Sequence, residues 1–358
     1  MTNARSDGRI FLALGILSLI LFGVFFKYHA TDSMVDFQDV YCGARLLVQH
    51  QDPYDTARMI DAYSVLFGES EFVRRHKPMI YSIYFPAGYL VLAPIAALPW
   101  KIASALWNIL TLGSLITAGC LMWQLGADYA PILTGAFIGF ALANGAVVFA
   151  DGNPAGVVAG LCVIGAWCIV EERLVWAGIL CLVVGLAMKP QDAGLIWLFF
   201  LLRPGRFRKR AVQVAAITFL LWVSAALWTW HVAPHWLSEQ HSNLVEIAVH
   251  GGNSDPGPTG LTSKTGTMEV ITDLQTVISV FRDSPALYNS ITILFCGLLL
   301  IVWAITTIRS NFSPTLTWAA LGAIAPLTLL VTYHRAYDSR LLLLTIPTCR
   351  PPLPTGPP

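Results

Sequence analysis

The chain has 358 residues, of which 56% are hydrophobic and 12% charged, with 22 Lys and Arg against 21 Asp and Glu and a formal net charge of +1. Soluble globular domains carry about 25% charged residues, so this composition describes an all-α polytopic membrane protein. The near-zero charge excludes neither sign of small ligand, but it offers no broad basic surface, so a nucleic-acid partner is set aside.

Residues 10–26 make the first span. Arg5 and Arg9 precede it. It lacks a small-residue cleavage site before Lys27 and more spans follow, so it reads as a retained helix and not as a signal peptide. The loop 27–83 is long and contains two amphipathic stretches, 39–48 and 57–67; a loop of that length with helices of its own is usually functional. Further apolar runs follow at 84–98, 102–125, 131–150, 155–170, 174–202, 211–230, 286–308 and 315–332, most of them near the roughly 20 residues a crossing helix needs. Gly152-Asn153-Pro154 interrupts the region 131–170, which therefore reads either as two crossings or as a re-entrant hairpin.

Short Lys/Arg clusters stay cytoplasmic. Arg5, Arg9 and the run RPGRFRKR at 203–210 place both segments inside, with six crossings between them, a count that a hairpin at 131–170 would change by two without altering its parity. The loops 27–83, 234–285 and 333–340 then face outside. The second, rich in turn formers, is expected to act as a lid over whatever the first loop binds. A tenth run, 341–346, gives way to a proline-rich tail at 347–358 that cannot continue a membrane helix; a truncation or frameshift is expected there. Residues 1–346 read as one transmembrane domain. Of the seven cysteines, Cys120, Cys162, Cys168, Cys181 and Cys296 lie inside apolar runs, and none forms a CxxC pair, so neither a disulfide framework nor a zinc site is expected.

Four groups of residues carry chemistry. Asp36 and Asp39, at i and i+3, share a face of any helix starting near Val35. Two carboxylates that close suit general-base work, or they solvate and cap the start of an amphipathic helix. Lys189 sits inside the apolar run 174–202, where a charge costs at least about 2.5 kcal/mol. It either pairs with Asp192 to fix a kinked helix or serves as a phosphate ligand. The segment 333–338, Tyr-His-Arg-Ala-Tyr-Asp, offers an imidazole, a guanidinium, two phenols and a carboxylate, or belongs to an interfacial aromatic belt. Asp128 is the better outside candidate for a second acid, with Glu171 and Glu172 read as solvated loop ends. No GxxxxGK[ST], GxSxG or HExxH motif is present, so the usual signatures of a nucleotide hydrolase, a serine hydrolase and a zinc protease are absent.

A set of short motifs runs in a fixed order: Asp36-Phe37, Tyr41, Ala44-Arg45-Leu46-Leu47, Asp52-Pro53-Tyr54-Asp55, Tyr84-Phe85-Pro86 before a helix ending at Pro99, Gly152-Asn153, the helix from Gly178 to Lys189, and Tyr333-His334 through Asp338. Together they resemble the GT-C glycosyltransferases, and most closely glycosyltransferase family 87, the polyprenyl-phosphate-mannose-dependent α-mannosyltransferase group. The resemblance covers most of residues 10–346. It implies a GT-C fold and the transfer of a sugar, mannose, from a polyprenyl-phosphate donor to a lipid or glycan acceptor, with Asp36 as general base and Asp39 beside it. Lys189, His334 and Arg335 would stabilise the leaving phosphate; Tyr337, Asp338, Arg45 and Tyr41 complete the expected substrate site. The lipid-linked donor is a co-substrate, and no cofactor or metal is expected. The site would lie on the extracytoplasmic face of a bacterial cytoplasmic membrane. Gly152-Asn153 stands where the family usually has Gly-Gln. Two alternatives remain: a transporter or lipid flippase with Lys189 and Asp192 in its path, although no convincing internal repeat is present, and an inactive truncated relative.

Overall fold

A computed structural model describes residues 2–29, 33–68, 80–261, 271–310, 313–331 and 334–349. Tyr333 and the tail 350–358 fall outside these residues. The described chain is helical throughout, and its sole strand-like feature is an isolated bridge between Ile271 and Arg335.

Among the described residues, five stretches are long and apolar enough to cross a membrane: Asn3–Tyr28, Trp100–Gly126, Pro131–Asp151, Arg206–Val232 and Pro285–Arg309. The first lies in α1 (Thr2–His29), and the second is α5 (Trp100–Gly126). The third comprises α6 (Pro131–Ala143) and α7 (Ala146–Asp151). α1 and α6 run parallel and touch through glycines: a Cβ at Gly8 would strike Pro131, and one at Gly15 would strike the backbone of Gly139. Small residues let membrane helices approach this closely.

Asn153 and Lys189 both sit at turns where the chain reverses. From α7 the chain passes Asn153 and returns through α8 (Ala155–Val170). It rises again as α9 (Val175–Met188) and falls as α10 (Pro190–Leu202). This corrects the expectation of one kinked helix over 174–202. A straight helix from Glu172 to Arg206 would be about 50 Å long, yet their side chains form an ion pair at 2.7 Å. Pro190 opens α10, where its missing N–H costs nothing. Gly185 packs against Ala193, close enough that an added Cβ would lie 3.1 Å from the Ala193 methyl.

The remaining long elements are α11 (Arg206–Val232), α14 (Pro285–Arg309) and α15 (Pro314–Val331). Arg203 Nη1 donates to the Ser310 carbonyl at 2.7 Å, Trp318 Nε1 donates to Glu171 at 3.1 Å, and Arg5 pairs with Asp128 at 3.2 Å. These contacts gather Arg5, Asp128, Glu171, Glu172 and the run 203–210 at one end of the bundle, the basic end. Asp128, expected outside as a second acid, is therefore corrected to the opposite end from Asp36. Arg5 and the 203–210 run lie at the same end of the bundle, and the chain passes between them by a different route from the one expected. The run 84–98 folds as α4 (Pro86–Ala96), about 16 Å long and too short to cross, and the 174–202 hairpin returns to the end where it began.

The run 341–346 lies inside a 3₁₀ helix (Ala336–Cys349). Such helices rarely exceed three or four residues, but their 2.0 Å rise makes this one about 28 Å long. It descends from the site to the basic end, where Ile346 approaches Gly126, and it buries Leu341, Leu343 and Leu344 in the core.

Two further layers close the other end. α2 (Val35–Val48) and α3 (Thr56–Phe67) come from the first long loop, and α12 (Trp236–Ala248) and α13 (Leu274–Ser279) from the second. Phe37 stacks on Trp107 at 4.5 Å and 8°, a pair worth about 0.5–1.5 kcal/mol beyond its burial. Asp55 caps α3 by accepting from Ala57 and Arg58 N–H. α12 is pinned over the first loop: Asn243 Nδ2 donates to the carbonyls of Tyr54 and Ser82 at 3.1 and 3.2 Å, and Gln240 Nε2 to that of Ile83 at 3.1 Å.

Candidate active site

A cavity of about 490 Å³ opens between these layers. One wall carries Asp36 and Asp39 from α2, Asn153, Lys189 from the tip of the α9–α10 hairpin, and Arg335 and Tyr337 from the start of the 3₁₀ helix region. The aromatic and apolar part of the lining is built by Tyr81, Ile83, Tyr84 and Phe85 before α4 and by Leu244, Ile247 and Ala248 of α12. Asn253 and Ser254 complete the rim. Both long loops thus contribute residues to the lining of this cavity.

Beneath Lys189 lies a compact ionic cluster. Its ammonium pairs with Asp338, lies 3.7 Å from Asp192 and sits over the Tyr337 ring at 4.9 Å from the centroid. Asp338 also accepts from the Arg335 backbone N–H at 2.7 Å. His334 Nε2 donates to Asp192 Oδ1 at 3.1 Å. Asp192, His334 and Asp338 are all essentially inaccessible to solvent. Burial opposes protonation of His334, but the hydrogen bond to Asp192 and the charges of Asp338 and Asp192 outweigh it against Lys189, and the imidazole is held above its ordinary range. The local pair Lys189–Asp192 is thus present, within a larger network that bridges two segments of the chain, 189–192 and 334–338.

Of the residues singled out in the sequence, Asp36, Asp39, Lys189, Arg335 and Tyr337 meet at the cavity, with His334 and Asp338 one contact behind. Tyr41 and Arg45 do not line it. Tyr41 Oη donates to the Leu98 carbonyl at 2.8 Å, and Arg45 Nη1 donates to Tyr41 Oη and to the Ala96 carbonyl at 3.0 and 3.1 Å. They satisfy the carbonyls left open at the end of α4 and so fasten α2 in place.

Two residues outside the expected site lie beside Asp36: Asn153, known from the sequence only as part of the Gly152-Asn153 motif, and Asp151, which the sequence did not single out. Asn153 donates to Asp36 Oδ2 at 2.6 Å. Asp151 is 8% exposed, and its Oδ2 has no hydrogen-bond partner among the described residues. The signal was present in the sequence: four residues, Asp-Gly-Asn-Pro, form a polar interruption between two apolar runs, and ionisable groups at such depth are rarely idle.

The described residues bring one set of metal-ligand types together, His250, Asp255 and Asp283, with ligand atoms within 4.8 Å of one another. Their hydrogen bonds describe a loop clasp. Asp255 accepts from Gly251 and Gly257 N–H, from Tyr288 Oη and from His250 Nδ1. Burial disfavours its charge, but these four donors outweigh it and hold the carboxyl below the usual carboxylate range.

The sequence model of glycosyltransferase family 87 matches residues 83–332. The chain belongs to glycosyltransferase family 87. It is therefore a membrane glycosyltransferase, and the transporter and flippase alternatives are set aside. The family 87 match includes Tyr84, Phe85, Asn153 and Lys189, while Asp36, Asp39, Tyr81 and residues 334–338 lie outside it. No curated protein matches the chain. No solved structure matches it either.

Proposed function

We propose that this family 87 protein transfers a sugar, mannose, from a polyprenyl-phosphate donor to a lipid or glycan acceptor, with Asp36 as the general base. The observation that carries the reading is the meeting of Asp36 and Asp39 with Lys189 and Arg335 across one cavity, at the end of the bundle opposite the basic end. By the rule that short basic segments stay cytoplasmic, that cavity faces the extracytoplasmic side, which for a bacterial chain is the outer face of the cytoplasmic membrane. A lipid-linked sugar presents its reactive phosphate at headgroup depth, within reach of residues just beyond the ends of membrane helices.

In the proposed step, Asp36 takes the proton of an acceptor hydroxyl as that oxygen bonds to the anomeric carbon. The bond from that carbon to the phosphate oxygen breaks, and polyprenyl phosphate departs with the electron pair. Direct displacement inverts the anomeric centre. Arg335 and Lys189 supply positive charge where the phosphate develops its own. Both side chains line the cavity. The aromatic wall suits the sugar face and the first isoprene units. Asp39 lies on the same wall as Asp36 and is assigned to acceptor hydroxyl binding.

The test supplies labelled mannose to membranes containing the protein, either as polyprenyl-phosphate-mannose or as a nucleotide sugar, with extracted native lipids as acceptor and with synthesis of the lipid donor blocked. Product from the lipid-linked donor alone supports the reading. Product from the nucleotide sugar under that block contradicts it.

A further inference from the structure

Asn153 occupies the turn between α7 and α8, directly after Gly152, whose φ of 65° lies in the left-handed region. Its side chain is 6% exposed and fully committed. Oδ1 accepts the Ala155 backbone N–H at 2.9 Å. A backbone N–H can meet only the acceptor end of an amide, so this bond fixes which way the carboxamide points. Both Nδ2 hydrogens must then face the other way, and they are donated to Asp36 Oδ2 at 2.6 Å and to Tyr337 Oη at 2.9 Å. Tyr337 in turn lies beneath the Lys189 ammonium. One amide therefore joins the acid side of the cavity to the cationic side.

The turn that carries Asn153 is held to α2 without help from that amide. Met34 N–H donates to the Ala150 carbonyl at 2.5 Å, and Trp107 Nε1 donates to the Gly152 carbonyl at 2.8 Å. A Cβ at residue 152 would lie 2.9 Å from Phe37 Cβ and 3.0 Å from Met34 Cβ, so the glycine brings the two backbones into contact beside Asp36. Docking and orientation are thus separate: backbone and indole bonds bring the turn to α2, and the Asn153 amide selects how the Asp36 carboxylate presents itself.

We infer that Asn153 is a positioning residue for Asp36: by occupying Oδ2 it fixes the carboxylate rotamer and leaves Oδ1 for the acceptor hydroxyl. The inference rests on the proposed role of Asp36 as base. Losing the amide leaves the carboxylate free to rotate, which lowers kcat and leaves the donor KM unchanged.

The experiment measures steady-state transfer in native membranes with polyprenyl-phosphate-mannose for the wild type, Asn153→Ala, Asn153→Asp, Asp36→Asn and the double variant Asp36→Asn with Asn153→Ala. Asn153→Ala is expected to lower kcat about 10- to 100-fold with the donor KM unchanged. Asn153→Asp, which keeps the shape and adds a like charge, should lower it at least as far, and it secures the test if Asn153→Ala does not insert. In the Asp36→Asn background Asn153→Ala should cost nothing further, because a positioning residue acts through the group it positions. A kcat within about threefold of wild type in both Asn153 variants, or a fully additive loss in the double variant, overturns the inference with the base role of Asp36 intact. Wild-type transfer by Asp36→Asn instead removes the base role, and the positioning role of Asn153 falls with it.

Discussion

Glu172 and Arg206 form an ion pair at 2.7 Å at the basic end of the bundle, closing a hairpin whose tip is Lys189. Both side chains are more than half exposed, so the pair contributes at most about 1 kcal/mol; its value is as a marker of the reversal. In a chain cleared of its native cysteines, Glu172→Cys with Arg206→Cys should be joined by a short thiol cross-linker. A single kinked span over 174–202 would hold the two sites tens of ångströms apart and give no cross-link.

Lys189 stabilises two buried carboxylates at once, and removing it leaves both without their cation. Lys189→Met is expected to cost about 3–5 kcal/mol, read as a large fall in the unfolding temperature of the detergent-solubilised protein. Adding Asp338→Asn should return part of that loss, because one of the orphaned charges is then gone. Additive losses in the double variant would show that the two residues do not interact.

The His334 imidazole is raised above its ordinary range by the carboxylates of Asp192 and Asp338. Its contribution to stability is then fully present below the unfolded value near 6.5 and is lost as pH rises through the higher folded value. The stability difference between wild type and His334→Gln should therefore be largest in mildly acidic buffer and shrink toward alkaline pH. A difference that grows with pH would mean the imidazole is buried neutral.

Arg45 and Tyr41 belong to the motif that suggested substrate contact, but their donors end on the carbonyls of α4. Arg45→Ala should lower stability by about 1–2 kcal/mol and leave the donor KM unchanged in the protein that remains folded. A selective rise in KM with unaltered stability would return Arg45 to the substrate site.

The sequence and the fold part company at identifiable residues. Asp36, Lys189 and the 334–338 segment were legible because ionisable groups beside or within apolar runs are costly and so stand out. The hairpin at Lys189 was not, since the run 174–202 has the same hydropathy whether it bends or reverses. The reversal depends on contacts distant in sequence, such as Glu172 with Arg206. The same holds for His334 and Asp192, whose pairing joins different segments, whereas the i, i+3 pair of Lys189 with Asp192 is local and therefore legible. Asn153 stood out only as part of the Gly152-Asn153 motif and of a turn that reads as a chain reversal; its contact with Asp36 appears only once α2 is placed against that turn.

The central claim is that Asp36 is the base, and steady-state transfer by Asp36→Asn beside wild type, with expression, unfolding temperature and donor KM measured on the same membranes, tests it most directly. A loss of at least about 100-fold in kcat, with the other three quantities unchanged, is the predicted result. A kcat within about threefold of wild type would contradict it and move the search for the base to Asp39 or Asp151.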